Sequence, residues 1–295
     1  MKGYKGFEKG MICRGKQYAE NTVFEEENAK ICESGIHFCE NPMDVLDFYP
    51  ILDDNCDFNE FAEVETLDKA HTDDNIKYCT KKIKIGAKLS ISNFIKACVE
   101  FVIDKTSSEV NEKSSGSYAK IGSSGSYAQI GSSGSYAKIG SSGYSAKIGS
   151  SGSYAQIGSS GNFAHIGSSG SYAKIGSSGD FAKIGSSGDF AQIGGSGDSA
   201  QIGSLGNSAQ ICSSGNFAKT ASTGEDSVIC CTGYKSIVKA KKGSWITLAE
   251  WTWDKEKSRC VPVCVKTEFV DGERIKENTW YKLENGEFVE HSNGE

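Results

Sequence analysis

A nine-residue unit in tandem constrains this chain more than anything else in it. From Ser114 the sequence reads SSGSYAKIG, SSGSYAQIG, SSGSYAKIG, SSGYSAKIG, SSGSYAQIG, SSGNFAHIG and onward, and fourteen units reach Lys239, the last drifting to STGEDSVIC and CTGYKSIVK. Such repetition marks a solenoid, in which each unit buries its apolar side only against its neighbours. The Ala slot (Ala119, Ala128, Ala137) and the Ile slot (Ile121, Ile130, Ile139) hardly vary, whereas Lys120 and Tyr118 head slots that accept several residue types. Side chains alternate across a strand, so Ala and Ile are expected inward and the aromatic and Lys/Gln slots outward.

Nine residues are too few to close a coil around a core, whereas two units give 18 residues and two short strands. The expected rod has seven coils about 4.8 Å apart, roughly 34 Å in all. Gly-Ser-Ser-Gly is expected at the corners, with Gly supplying positive φ. A flexible Gly/Ser linker would not need Ile and Ala at fixed phase. Gly195, Gly197 and Ala200 fit a loose dinucleotide-binding fingerprint, but they lie within the repeats, without the strand and helix that motif requires.

The flanks divide the 295 residues into a small α+β domain (1–91), a capping helix and linker (92–113), the solenoid (114–239) and a C-terminal antiparallel β cap (240–295). The fold class is mostly β. In the first domain, strands are expected at YKGF, CRGKQY, TVFE, IHFCE, FAEVET and KKIKIGAKLSI. A helical turn is expected after Asn41, with Pro42 at its first position. Residues 92–102 read as a short helix, N-capped by Ser92 or Asn93, that plugs the first coil. Past Lys239, SWITLAEWTW and SRCVPVCVKTE read as strands, and Asp271-Gly272 and Asn285-Gly286 as tight turns. Trp245, Trp251, Trp253 and Trp280 are expected in the core of that cap.

The formal net charge is −6, and the repeat core from Ser114 to Gly224 carries six Lys against three Asp, so the strongly basic stripe of a nucleic-acid binder is absent. Eleven Cys without a disulfide-scaffold spacing suit a reducing compartment. The opening MKGYKGFEKG lacks an apolar signal segment, and no run approaches a membrane span. The expected location is the cytoplasm, with no membrane partner and an open oligomeric state.

The run CRGKQY, then ICESGIHFCENPMDVLDFYP, then FAEVE and KIKIGAKLSI resembles an uncharacterised domain of phage and prophage proteins. Those proteins often continue into Gly-rich repeats and a closing W-x-x-LAEW strand, as Trp245 to Trp251 does here. The resemblance implies a phage-derived origin and brings no established activity.

Several constellations could carry chemistry. Cys13, Cys32, His37 and Cys39 could supply zinc ligands, but paired C-x2-4-C spacing is missing and buried thiols beside a satisfied His are the plainer reading. The first domain also looks loosely like the split-sheet core of ADP-ribosyltransferases, with Arg14 on an early strand and Glu63 or Glu65 on a later one. Its aromatic-Ser-Thr motif is absent, so this alternative enzyme rests on analogy. No motif calls for a metal or other cofactor.

The outer rows of the rod are the stronger signal. One face should stack Tyr118, Tyr136, Tyr154, Tyr172 and Phe190 beside Lys120, Lys138 and Lys174. The opposite face should stack Tyr127, Phe163, Phe181 and Phe217 beside Lys147, His165 and Lys183. Contiguous exposed aromatics mark contact sites. The expected function is therefore a non-enzymatic, phage-derived binding protein that engages, and can inhibit, a host protein such as a defence factor. Single-stranded nucleic acid stacked on the Tyr row and a virion adhesin are alternatives. Rows of Lys and Tyr do not suit ice binding.

Overall fold

The computed structural model describes residues 1–51, 53, 58–105, 113–114 and 116–291, which form two compact units, Met1–Phe101 and Val102–Glu295.

The second unit contains the solenoid. Strand β10 (Lys113–Ser114) leads into strands β11 (Lys120–Ser123) to β24 (Ile237–Lys239), which come two to a coil. From β11 to β22 (Lys219–Ser222) each pairs in parallel with the strand 18 residues on, as Ile139 with Ile157 and Ile148 with Ile166. Odd-numbered strands make one sheet and even-numbered strands the other, so seven coils stack as expected. The Ala and Ile rows run down the centre: Ala137, Ala155 and Ala173 are 0 % exposed, and Ile139, Ile157 and Ile175 are 3–4 % exposed. A third row also points inward. The strand is K/Q-I-G-S, so its closing Ser (Ser141, Ser150, Ser159) is buried between the sheets.

The corner chemistry is the reverse of the sequence expectation. The strand begins at the Lys/Gln slot, so the aromatic lies in the preceding turn and not on the strand. In all fourteen units the aromatic slot takes the left-handed conformation, from Tyr118 (φ 63°) to Lys235 (φ 53°). The turn glycines do not have positive φ. They are required because a Cβ on Gly152 would sit 2.0 Å from the carbonyl oxygen of Gly134, one coil away. Coils stack so closely there that no side chain fits.

Hydrogen bonds run the length of each corner. The amide of Tyr136 donates to the carbonyl of Ser153 (2.9 Å), and this repeats coil by coil. Where the residue before the aromatic is Asn or Asp, its Oδ1 accepts the same residue's amide from the next coil. Asn162 accepts from Asp180 (2.9 Å), Asp180 from Asp198 (2.9 Å) and Asp198 from Asn216 (2.8 Å). A side-chain acceptor row thus reinforces the backbone ladder in the later coils.

Residues 240–291 continue both sheets and change their sense. Strand β25 (Trp245–Asp254) pairs in parallel with β23 (Val228–Cys231), and β26 (Arg259–Phe269) then returns antiparallel to β25. Strand β27 (Trp280–Glu284) runs antiparallel to β24, and β28 (Glu287–Glu290) follows across the Asn285-Gly286 turn, where both residues have positive φ. Val270, Ile275, Tyr281 and Leu283 join the same apolar cluster as Val238 and Ile246. Of the four tryptophans expected in this core, only Trp280 is buried; Trp245 and Trp253 are exposed and Trp251 is half-buried. The register explains Trp245. Ile246 aligns with Ile229 of the inward row, so Trp245 takes the outward phase beside Val228.

The first unit is a seven-stranded antiparallel sheet in the order β4 (Val23–Glu25), β9 (Lys82–Leu89), β6 (Glu60–Thr66), β1 (Lys2–Phe7), β5 (Ile36–Cys39), β8 (Lys77–Thr80) and β7 (Ala70–His71). A separate hairpin, β2 (Ile12–Cys13) and β3 (Lys16–Gln17), turns at Arg14-Gly15. Helix α1 (Pro42–Val45) begins as expected, Asn41 Oδ1 accepting the amide of Met43 at 3.0 Å. Helix α2 (Ile91–Lys105) starts earlier than expected, with Ser90 Oγ accepting the amide of Asn93. Phe94, in the helix expected to plug the first coil, stacks on Phe61 of β6 (3.8 Å between centroids, 9° between planes). This burial belongs to the first unit's sheet.

Candidate functional site

The aromatic row beside the odd sheet is a continuous column. Tyr118, Tyr136, Tyr154, Tyr172 and Phe190 stack at 4.8–4.9 Å between centroids with planes 4–8° apart. All five rings are exposed, between 42 % and 70 %. The spacing follows from the parallel sheet, because residues 18 apart are held in register at one strand separation. In the same units Lys120, Lys138 and Lys174 open the odd strands, are exposed, and form no ion pair among the described residues.

The odd face also carries a trough of 1250 Å³, flanked by Lys120, Lys138, Gln156 and Lys174. Its floor is the strand glycine row. A Cβ on Gly122, Gly140, Gly158 or Gly176 would meet nothing within 4 Å. Further along, Cys212 and Cys230 replace the glycine, and burial together with Cys212 pushes the Cys230 thiol up.

The opposite row is less regular. Phe163 and Phe181 stack at 5.0 Å. Ser145 interrupts the column, where the unit reads YSAK, and Tyr144 makes tilted or edge contacts with Phe163 and Tyr127 instead. Phe217 has an edge contact with Tyr234. Beside this row Lys147 and Lys183 are half-buried and His165 is buried, so these residues do not form the exposed band expected of them.

In the first unit, the residues weighed as zinc ligands have other partners. Lys5 Nζ donates to Cys13 Sγ (3.2 Å) and to the carbonyl of His37 (3.0 Å), and Tyr49 Oη donates to the same sulfur (3.0 Å). The amide of Cys32 donates to His37 Nε2 (3.1 Å), and Lys77 Nζ to Cys32 Sγ (3.1 Å). Among the described residues no three His, Cys, Asp or Glu side chains converge as a metal site. These groups surround a cavity of 700 Å³ that Arg14 also lines. Burial, then the charges of Lys5, Lys77 and Arg14, push His37 down to about 4.

Glu63 and Glu65 lie elsewhere. Both are exposed on β6 and line a separate cavity of 560 Å³, which shares only Tyr4 with the first. Glu65 is in register with Lys2 and Lys84. Arg14 and either glutamate are therefore not brought into one site. Sequence reading missed Lys5 and Tyr49. Their only local signal was the glycine at Gly6, where a Cβ would lie 2.5 Å from that of Tyr49, so the glycine admits Tyr49 over β1.

Residues 1–97 match a family model described as a domain of unknown function (DUF7666). The match covers the seven-stranded unit with its cavities and stops short of the repeats. No curated protein and no solved structure matches the chain. Among the described residues no helix is long and apolar enough to cross a membrane.

Proposed function

We propose that this is a phage-derived, cytoplasmic binding protein that engages and inhibits a host protein such as a defence factor, through the odd face of its rod. The observation that carries the reading is the backbone conformation beneath the exposed aromatic column. A side chain held at positive φ costs about 1–2 kcal/mol, which glycine would avoid. An aromatic pair returns about 0.5–1.5 kcal/mol, so against glycine the rings gain the fold little. Ser199 and Ser208 take the same conformation without a ring. Rings retained at such positions and left exposed serve contact more than folding.

The surroundings suit a protein partner. Tyrosine supplies large, rigid contact area at low entropic cost, the unpaired Lys120, Lys138 and Lys174 supply charge complementarity, and the glycine floor lets a partner approach the backbone closely. The rod then acts by contact and needs no catalytic group. The test uses the full chain as bait in host lysate, followed by hydrogen-exchange mapping on the purified complex. Protection confined to residues 118–194 supports the reading; protection confined to residues 1–97 overturns it.

A further inference from the structure

The cavity of the first unit has features the rod does not use. Lys5 is 4 % exposed, and its ammonium has no carboxylate partner among the described residues. A buried cation needs a counter-charge or loses its proton. Burial lowers the Lys5 pKa, with the neighbouring sulfur opposing the shift. Cys13 Sγ receives both Lys5 Nζ and Tyr49 Oη, so the sulfur acts as an acceptor for two donors.

The cavity is also set for negative charge. Arg14 occupies the first central position of the hairpin turn at φ 50°, followed by Gly15 at φ 73°, where Asn, Asp or Gly is the unstrained choice. Its guanidinium makes no ion pair or hydrogen bond among the described residues, so a strained position presents a free cation to the cavity. Lys77 also lines it, and among the described residues its ammonium donates to the Cys32 sulfur and lies 4.8 Å from the centre of the Phe48 ring. Of the lining carboxylates, Glu26 and Glu33 are paired with Lys16 and Lys30, and Asp47 is exposed at the rim.

We propose that this cavity is a reactive-thiol site in which Cys13, served by Lys5 and Tyr49, takes a small electrophile carrying a carboxylate or phosphate that Arg14 and Lys77 attract. The Lys5 amine takes the sulfur's proton, and the ammonium so formed donates back to the sulfur at 3.2 Å. The sulfur then forms a bond to the electrophilic carbon, the bond from that carbon to its leaving group breaks, and the leaving group departs with the electron pair. Lys5 returns the proton to the leaving group or to water. Tyr49 Oη, donating to the sulfur at 3.0 Å, stabilises the charge the sulfur gains as its proton leaves. The volume of 700 Å³ suits a ligand of metabolite size.

The test is site-resolved alkylation of the full chain, followed by peptide mass spectrometry, with iodoacetate and iodoacetamide compared at Cys13 and at exposed Cys212. With the Lys5 amine 3.2 Å away as its base and Tyr49 Oη donating at 3.0 Å, Cys13 is expected to react on the order of tenfold faster than Cys212. Cys13 should also favour anionic iodoacetate over neutral iodoacetamide, the opposite of Cys212. Arg14→Gln should remove that preference, and Tyr49→Phe and Lys5→Met should slow the reaction. The comparison within the unaltered chain decides the matter even if Lys5→Met does not fold. Cys13 reacting no faster than Cys212, or without a preference for iodoacetate, overturns the proposal. Loss of the preference in Arg14→Gln with both domains folded assigns the anion to Arg14; preference unchanged in that variant overturns the anion site. Labelling after preincubation with a small carboxylate (succinate) and with inorganic phosphate distinguishes the two anions by which one protects Cys13.

Discussion

The carbonyl oxygen of Gly134 lies 2.0 Å from the point a Cβ on Gly152 would occupy, whereas the same construction on Gly158, six residues on, meets nothing within 4 Å. One glycine is forced by the stacking of coils and the other is not. Gly152→Ala must push adjacent coils apart, and overpacking of this kind costs about 1–3 kcal/mol. Gly158→Ala should stay within about 0.5 kcal/mol. Chemical denaturation of the two variants checks this, and equal midpoints would show that the corner spacing is not what selects glycine.

The inward and outward rows make a second pair. Ile157 is 4 % exposed and Lys174, one coil on, is exposed in register with Gln156. Ile157→Asp places a carboxylate in a thin core with no cation to meet it, and is expected to unfold the central coils. Lys174→Asp should change the melting temperature little. Thermal melts followed by circular dichroism measure both.

The solenoid was legible because Ala119 and Ile121 recur at fixed phase, and a fixed phase has one economical fold. The role of Tyr118 was not, because Tyr-Ala-Lys-Ile alternates like a strand and nothing local reveals that the chain turns at Tyr118 and straightens only at Lys120. Trp245 misled for a related reason: hydrophobicity suggested burial, but the register that aligns Ile246 with Ile229 decides which side of the strand faces the core. The cavity of the first unit was least legible of all. Lys5, Cys13 and Tyr49 come from β1, a hairpin and the segment after α1, and only the folded sheet brings them together.

His37 gives a pH dependence whose sign is fixed. Its folded value, about 4, lies below the ordinary 6.5, because burial and the charges of Lys5, Lys77 and Arg14 disfavour the imidazolium. Between these values the unfolded chain binds a proton that the folded domain does not, so stability is full above pH 6.5 and falls as the pH drops toward 4. Hydrogen-exchange protection of β5 and β8 should weaken over that window, and His37→Gln should flatten the decline. Protection that rises on acidification would contradict the assignment.

The central claim is that the exposed column serves a partner and does not merely stiffen the rod, and replacing Tyr136, Tyr154 and Tyr172 together by Ser tests it most directly. Ser199 and Ser208 already hold that conformation, so the variant should keep its circular dichroism spectrum and lose only the modest stability of the stack. The measurement is the dissociation constant for the host partner identified with the unaltered chain. Aromatic anchors at an interface are often worth about 2 kcal/mol or more each, so the constant should rise at least about 100-fold. A folded triple variant that binds as tightly as the parent would contradict the claim, and a variant that unfolds would show the column to be structural.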